Sequence, residues 1–494
     1  MRLFSPLLVL ILTLIAMTAV LGPAQAEAAQ SGAALTEASR TGAPEPDFTV
    51  SLADLAQDFP YQGFEKEIAF WIRVFTEWDE RRIVFHDMRD LELIYEVRVM
   101  NKGVRDDDEE YRRQRDLLKD ARDEMEDRLA EIGRWGLDSS RLTPRHRSLI
   151  AVVEARGMQL EPATFRELSD RVRYQRGVRD KYIEGLVRSR RYLDRMEEIF
   201  QDHGLPKVLA LMGHVESSFD FNAYSKVGAA GIWQFMRSTG RRYMRINRYI
   251  DERRDPIKAT HAAARYILEN HEKLGHWPFT VTAYNHGPYG MLRALKRHGT
   301  DFRNTVDSYQ SRTFGFASRN FYPSFLAAVH VDRNYRYYFG EVEFDAPAAY
   351  DTIRLKNGYH VSHLAKLSAV DLEELQSYNP HLTRYVWTRH KVIPAGVELH
   401  LPAGTREEVE KALSAFKPTS SPVTVAADGS MLYRVRSGNT LGWIAQSFGT
   451  SVRSLMRWNG LSNPHRIYAG QLLVVAPPSP LGQSSRTDAS GPSK

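Results

Sequence analysis

A glutamate at the end of an apolar segment has the clearest capacity for chemistry in this sequence. Residues 208–215 are apolar almost throughout, and Glu216 follows them directly. The preceding Gly204-Leu205-Pro206 is typical of a helix start, because proline is tolerated in the first helical turn. A helix that is apolar on all sides is buried, and a carboxyl group that it carries loses water, which raises its pKa. Such a group can act as a general acid near neutral pH. The alternative is a glutamate that emerges into solvent.

Two further clusters contain residue types suited to binding a polar ligand. Small residues at 228–231 let the backbone approach a ligand closely, and Gln234 offers both a donor and an acceptor. Trp233 and Phe235 offer flat ring faces for sugars, although Trp233 fits a core position equally well. In the second cluster, Tyr284 can hydrogen-bond a carboxyl group or a sugar while its ring packs.

Other titratable residues near Glu216 are assigned structural roles. Asp220 lies four positions after Glu216, and a continued helix would pair the two carboxyl groups. Ser217, Ser218 and Phe219 indicate instead that the helix has ended. His214 lies two positions before Glu216 and therefore points to another side of the helix. The remaining histidines of this region lack a spacing typical of metal ligands, so no metal site is predicted; they are His261, His271 and His276.

These clusters belong to a predicted helical domain, residues 191–345, in which glycine and aromatic residues are frequent. The preceding residues 59–190 are predicted to form an all-α accessory region. There, apolar residues recur at helical spacing on one face, as expected for an amphipathic helix; they are Leu118, Met125, Leu129 and Ile132.

The N-terminus is typical of an exported protein. Residues 1–26 contain a short apolar stretch and the cleavage site Ala24-Gln25-Ala26, as in a secretory signal peptide. An uncleaved membrane anchor is the alternative. Residues 27–58 are rich in Ala, Gly, Ser and Pro and are predicted to be a flexible lead-in.

The C-terminal part contains a diverged internal repeat. Each copy shows an apolar strand, a helical segment with an asparagine near its end, and a final apolar strand. The copies are predicted at 346–404 and 431–476, with a linker at 405–430 and a disordered tail at 477–494.

Composition excludes several classes of function. The chain has 494 residues, a net charge of +6 and no cysteine, which excludes disulfides, thiol nucleophiles and thiolate metal sites. Basic residues are not interleaved with aromatic residues as in a nucleic-acid channel, so no nucleic-acid partner is predicted. Membrane contact is predicted only through the N-terminal signal, if it remains uncleaved.

The three clusters, in this order, resemble the lytic murein transglycosylases of the soluble-type and membrane-bound type D group. The matching elements are Glu216-Ser217, Gly231-Ile232-Trp233-Gln234 and Ala283-Tyr284-Asn285-His286-Gly287. One element departs from the family pattern Glu-Thr-x-x-Tyr-Val. Ala317 stands where the family has the acid, and the tyrosine is either replaced by Phe321 or supplied by Tyr322.

The resemblance implies a lysozyme-like, α-rich catalytic domain that acts on peptidoglycan glycan strands in the periplasm without a cofactor. It implies that Glu216 is the acid–base catalyst that cleaves the β-1,4 bond between N-acetylmuramic acid and N-acetylglucosamine and leaves a 1,6-anhydro end. The implied substrate-binding residues are Ser217, Gly231, Gln234, Phe235, Tyr284, Asn285 and Tyr322. A lysozyme-like hydrolase and a non-catalytic wall-binding protein remain as alternatives.

The repeat resembles LysM modules, small βααβ units that bind glycans containing N-acetylglucosamine. The copy at 431–476 is clear, whereas the first copy lacks the Gly-Asp-Thr element and is either a binder or a structural spacer. The implied glycan-binding residues are Gly438, Asn439, Thr440, Leu441 and Asn459. The predicted fold class is therefore a multidomain, mainly α chain with small βααβ modules at its C-terminus.

Overall fold

The computed structural model describes residues 45–100, 108–388, 391–415 and 421–478. The chain divides into two compact units. Of the described residues, the first unit contains those up to Ser189, Val208–Phe219 and Ile267–Phe344, and the second contains Arg190–Lys207, Asp220–Tyr266 and those from Asp345 onward. The predicted signal peptide lies outside the described residues, as do residues 479–494 of the predicted tail.

Helices predominate along the whole described chain, and the strands are short. Before residue 190 the elements are α1 (Phe48–Ser51), α2 (Glu65–Thr76), β1 (Arg82–Asp87), β2 (Ile94–Val99), α3 (Asp108–Trp135), α4 (Pro144–Ala155), α5 (Pro162–Ser169), β3 (Val172–Arg176) and α6 (Arg179–Ser189). Between residues 190 and 344 they are α7 (Leu193–Asp202), α8 (Met212–Ser217), α9 (Arg237–Gly240), α10 (Pro256–Leu274), α11 (Trp277–His286), α12 (Pro288–His298), α13 (Phe302–Ser308), α14 (Phe316–Arg333) and α15 (Tyr335–Phe339).

The C-terminal part contains the remaining strands. Its elements are β4 (Tyr350–Arg354), β5 (Tyr359–His360), α16 (Val361–Leu367), α17 (Leu372–Tyr378), α18 (Arg384–Thr388), β6 (Val392–Ile393), β7 (Glu398–Pro402), α19 (Arg406–Ala415), β8 (Val423–Val425), β9 (Met431–Arg434), α20 (Leu441–Ser447), α21 (Val452–Trp458) and β10 (Leu472–Ala476). The prediction of a mainly helical chain with small C-terminal sheets is confirmed. Among the residues that the structure describes, none of the helices combines the length and apolarity that a bilayer crossing needs.

The all-α prediction for residues 59–190 is wrong in one respect, because three strands form an antiparallel sheet in the order β2-β1-β3. The strands are short and carry β-branched and aromatic residues, which favour a half-buried sheet. The predicted apolar face of α3 is confirmed, since its four residues pack in one core with residues of the sheet. Long-range pairing of β1 with β3 is not visible as a local periodicity.

The end of the predicted flexible lead-in is folded. Helix α1 packs on α14, and the Ser51 hydroxyl lies 2.5 Å from His330 Nδ1. The Asp54 carboxylate accepts from Arg333 Nη1 at 2.6 Å. A composition rich in small residues therefore does not prevent residues 48–55 from docking on a buried helix.

Helix α14 is the main support of the first unit. It is buried along almost its whole length, as its nearly continuous apolar sequence requires. It packs against α2, α8 and α11, and thus supports both the helix that carries Glu216 and the helix that carries Tyr284 and Asn285.

Each C-terminal module is closed by one asparagine at the end of its second helix. Asn379 donates to the backbone oxygens of Leu375 and His400 and accepts from the His400 N–H. Asn459 makes the same three bonds with Leu455 and Val474. The predicted repeat is therefore visible as a shared set of contacts.

The predicted linker at 405–430 is partly regular structure. Helix α19 packs on β4, and Val423–Val425 pairs with β9 in a three-stranded sheet ordered β10-β9-β8. Val423 and Val425 are buried in the same core as the modules, which explains why this segment is ordered. Residues 416–420 of the predicted linker lie outside the described residues.

Candidate active site

Glu216 lies at the end of a buried helical segment in the first unit. A 3₁₀-helix, Lys207–Leu211, continues into α8, and the residues from Val208 to Val215 are buried. Glu216 itself is only partly exposed. Burial removes water from its carboxyl group and raises the pKa from 4.5 to about 8. The side chain is therefore suited to hold a proton at neutral pH.

The chain reverses direction immediately after Glu216. Ser218 and Phe219 both adopt left-handed backbone conformations, with φ of 52° and 55°. The Phe219 N–H donates to the oxygen of Gly213 at 3.0 Å, and the Ser218 N–H donates to that of His214 at 3.1 Å. Left-handed conformations cost energy in residues other than glycine and persist where the surrounding structure imposes them. The position of Glu216 is therefore fixed by the turn that follows it.

Helix α6 braces this turn. Arg188 Nη2 donates to the backbone oxygen of Ser218 at 3.0 Å. Gly185 faces the same residue so closely that an added Cβ would lie 2.7 Å from the Ser218 oxygen. Tyr182 stacks on His214 with ring centroids 4.5 Å apart. His214 also lies 3.2 Å from Asp332 on α14, so the predicted packing role fits its contacts.

Helix α11 presents the second group of predicted site residues. Tyr284 and Asn285 are both partly exposed near its end. Ser318 on α14 donates to Asn285 Oδ1 at 2.9 Å, while no protein partner for Asn285 Nδ2 is found among the described residues. Ser318 belongs to the element that departs from the family pattern, yet it orients a predicted binding residue.

Tyr322 does not fit its predicted substrate-binding role. Its side chain is fully buried, packs edge-on against Phe64 and Phe302, and donates its hydroxyl to the Pro60 oxygen at 2.9 Å. Phe321 is buried as well. Neither residue offers a surface to a ligand, because α14 is enclosed on all sides at this point.

The glycine-rich cluster lies in the second unit, in a loop organised by Arg253. The Arg253 guanidinium is fully buried, forms a bidentate pair with Asp251, and donates to the backbone oxygens of Gly228 and Phe235. A Cβ at Gly231 would lie 1.7 Å from the Arg253 oxygen. Glycine at 231 is therefore required by the protein's own backbone, which corrects its predicted role in approaching a ligand.

Gln234 and its aromatic neighbours have different environments. Gln234 adopts a positive φ of 44°, is partly exposed, and donates through Nε2 to the Gly231 oxygen at 2.8 Å. Trp233 is a core residue that donates to Thr260 at 2.9 Å. Phe235 is also buried, among Tyr243 and Tyr266, so its predicted stacking on a sugar is wrong. Ser217 is buried at the end of α8.

Two of the predicted glycan-binding residues of the second module have structural roles. Leu441 is buried in the module core, and the side-chain amide of Asn459 is occupied by strand β10. Asn439 accepts from the Arg436 N–H and the Tyr433 hydroxyl, and Thr440 caps α20. Gly438 adopts a φ of 79° with open space around it. The turn at 438–440 is therefore the accessible part of this set.

Comparison with known families places the Glu216 segment in a recognised domain. Residues 196–305 match the transglycosylase SLT domain. The chain is 27% identical over 320 residues to membrane-bound lytic murein transglycosylase D of Escherichia coli K12, and the match covers 62% of the chain and 69% of that protein. The SLT domain match and this similarity support a peptidoglycan lytic transglycosylase.

The C-terminal modules of the chain also match known domains. Residues 349–418 match the lytic transglycosylase MltD LysM-like domain, and residues 433–476 match the LysM domain. Over 66 residues, 13% of the chain, it is 41% identical to cell wall-binding protein YocH of Bacillus subtilis, covering 22% of that protein. The LysM matches and the similarity to a lytic transglycosylase indicate binding to peptidoglycan.

Sequence reasoning missed the residues that position the predicted site residues. Gly185, Arg188 and Ser318 act on it from helices distant in sequence, and no local pattern marks them. The role of Arg253 could have been found from the sequence, because it lies shortly after the glycine-rich loop in a charged run, Asp251-Glu252-Arg253-Arg254-Asp255. A buried arginine needs a partner, and the neighbouring Asp251 supplies it.

Proposed function

We propose that this lytic transglycosylase cleaves the β-1,4 bond between N-acetylmuramic acid and N-acetylglucosamine in peptidoglycan and leaves a 1,6-anhydromuramic end. Glu216 acts first as the acid and then as the base. Its low hydration at the end of α8 is the observation that supports this assignment most directly.

The first step requires a proton on Glu216, which donates it to the bridging oxygen as the glycosidic bond breaks. With a pKa of about 8, roughly nine-tenths of the enzyme holds that proton at pH 7, compared with about 0.3% for a carboxyl with the ordinary pKa of 4.5. Burial therefore increases the competent fraction by about 300-fold.

The second step uses the ionised Glu216. It removes the proton from the C6 hydroxyl of the muramic sugar as that oxygen attacks C1 and closes the anhydro ring. Two-carboxylate glycosidases place a second carboxylate at the developing positive charge. Asp220, the nearest acid in sequence, has its carboxylate bound to the Asn222 N–H at 2.8 Å, which is consistent with a structural role. The acetamide group of the substrate stabilises the charge in its place.

Substrate positioning is assigned to the partly exposed polar residues of the predicted clusters. Ser318 fixes the orientation of the Asn285 amide, whose Nδ2 atom is buried and has no protein partner among the described residues. Tyr284 and Gln234 are the other members. The accessible turn at 438–440 is assigned to glycan binding by the LysM module.

Product analysis tests the reaction and its catalyst. Purified peptidoglycan is digested with the chain from residue 27 to 494, and the fragments are analysed by mass spectrometry. Anhydro ends, lighter than reducing ends by one water, are expected; reducing ends would instead identify a hydrolase. Glu216→Gln should abolish cutting and retain wall binding. Glu198→Gln is the matched control, because Glu198 is an exposed residue of the same domain paired with Arg195.

We also propose that the enzyme acts in the periplasm after cleavage behind Ala26. The support is the signal-like sequence of residues 1–26 and the similarity to a membrane-bound murein enzyme. N-terminal sequencing of the protein recovered from the periplasmic fraction should begin at Glu27. Recovery of the intact Met1 terminus in the membrane fraction would indicate an uncleaved anchor.

A further inference from the structure

Three buried side chains of the second unit direct ligand atoms at one point. Asp255 precedes α10, His381 follows α17, and His400 lies in β7. The Asp255 Oδ2 atom lies 3.9 Å from His381 Nδ1 and 3.9 Å from His400 Nε2. The three ligand atoms all lie within 4.8 Å of one another, and all three residues are buried.

Hydrogen bonds to backbone oxygens orient the other ring nitrogen of each histidine towards this point. His381 Nε2 donates to the Glu398 oxygen and His400 Nδ1 donates to the Tyr378 oxygen, each at 3.1 Å. Because a carbonyl oxygen only accepts, the opposite ring nitrogen of each neutral histidine carries a lone pair. A histidine fixed through its second nitrogen by a backbone carbonyl is the arrangement found in metal sites.

The two carboxylate oxygens of Asp255 have different contacts. Oδ1 caps α10 by accepting from the N–H groups of Ile257 and Lys258 at 3.1 and 3.0 Å. Oδ2 has no hydrogen-bond partner among the described residues, and the same is true of His381 Nδ1. Buried polar atoms are almost always paired, so these two atoms, which face each other at 3.9 Å, indicate a missing ligand.

The module fold does not require either histidine. Asn379 and Asn459 occupy equivalent positions, and they bind the backbone of His400 and Val474, respectively. Two positions after each asparagine stand His381 and Leu461. The second module therefore forms the same asparagine bonds with Leu461 in place of His381 and Val474 in place of His400. The two histidines are thus a particular feature of the first module.

The surrounding charges can accommodate a dication. Lys258 lies 2.5 Å from Glu398, 3.3 Å from Glu252 and 4.0 Å from Asp255 Oδ2, and Arg245 pairs with Glu252 at 2.5 Å. Three carboxylates thus face two cationic side chains. One excess negative charge is present before a metal binds, and a dication changes this to one positive charge.

We propose that Asp255, His381 and His400 bind one Zn²⁺ ion, with water as the fourth ligand. Two imidazole nitrogens and a carboxylate oxygen suit zinc, with bonds of about 2.0–2.2 Å. Tetrahedral ligands at that distance lie about 3.4 Å apart, whereas these atoms lie 3.9 Å to at most 4.8 Å apart, so the three side chains must move closer together when the ion binds. The ion would connect the start of α10 to the end of α17 and to strand β7 of the first LysM-like module, and its role is structural.

The test is zinc binding by the untagged chain from residue 27 to 494. After removal of metal with a chelator, the wild type is expected to take up about one Zn²⁺ per chain, measured by mass spectrometry of the elements. Zinc should also raise its thermal unfolding temperature. Failure of the stripped wild type to bind zinc would overturn the proposal.

Variants locate the ion and separate binding from folding. Asp255→Asn keeps the oxygen that caps α10, and H381L and H400V introduce the residues that the second module already has. Each is expected to weaken zinc binding by at least about 100-fold while circular dichroism remains unchanged. His465→Ala removes an exposed histidine and should bind as the wild type does. Wild-type affinity in Asp255→Asn or H400V would place the ion elsewhere and refute the site.

Discussion

Ionised Glu216 is expected to destabilise the fold, so Glu216→Gln should stabilise the enzyme that it inactivates. Burial raises the pKa of this carboxyl from 4.5 to about 8, which means that the folded chain holds a proton that the unfolded chain releases. Stability therefore falls as the pH rises from about 4.5 to about 8 and is constant outside that window. Glutamine has no charge to desolvate, so the stability of the variant does not fall over this pH range for that reason.

The size of the effect follows from the two pKa values. Between pH 4.5 and pH 7, which is about 2.5 pH units, the free energy of unfolding falls by 1.36 kcal/mol per unit. The total loss at pH 7 is therefore about 3 kcal/mol. This is an upper bound, because Glu216 is only partly buried and solvent screens part of the cost. At pH 4.5 the same term is only about 0.4 kcal/mol.

Urea unfolding of wild type and Glu216→Gln at pH 4.5 and pH 7, followed by near-ultraviolet circular dichroism, measures this difference. The free energy of unfolding of Glu216→Gln, relative to the wild type, should be larger at pH 7 than at pH 4.5. That of Glu198→Gln, at an exposed site, should stay within about 0.5 kcal/mol of the wild type at both pH values. A difference for Glu216→Gln that is equal at both pH values would show that the carboxyl keeps its water. It would also remove the physical reason for the acid role.

Three other predictions follow from the same geometry. The kcat/KM for peptidoglycan should be about tenfold lower at pH 9 than at pH 7, because Glu216 with a pKa of about 8 loses its proton over that range; a flat profile would contradict the acid step. Gly185→Ala places a Cβ 2.7 Å from the Ser218 oxygen and should cost about 1–3 kcal/mol of stability and reduce turnover. Gly442→Ala, at an open helical glycine, is its control. Equal losses of stability and turnover in the two variants would show that the contact of Gly185 with Ser218 does not support the site. Tyr322→Phe should lose about 1 kcal/mol through one hydrogen bond and leave KM unchanged; a raised KM would restore a substrate role.

The sequence predicted the position of Glu216 well because both of its determinants are local. The eight residues that precede it are apolar except for His214, and a helix of this kind is stable when it is buried. The asparagine of each module was equally visible, since it recurs at the end of each second helix. In both cases the signal lies within a few residues of the group that it positions.

Side-chain direction was harder to predict. Trp233 and Phe235 flank Gln234 in sequence, yet both rings are buried and Gln234 is partly exposed. The positive φ of Gln234 and the approach of Arg253 determine this outcome, and neither is a property of residues 231–235 alone. Tyr322 was misassigned for a related reason, because its surroundings come from residues 60 and 64, far away in the chain.

The asparagine that closes each C-terminal module bonds only to residues of its own module. Asn459 spans 15 positions to Val474, and Asn379 spans 21 to His400. A copy inserted by gene duplication therefore carries this set of hydrogen bonds with it. Copies of such a unit can differ at other positions, as they do at His381 and Leu461, while the asparagine keeps the helix joined to the strand.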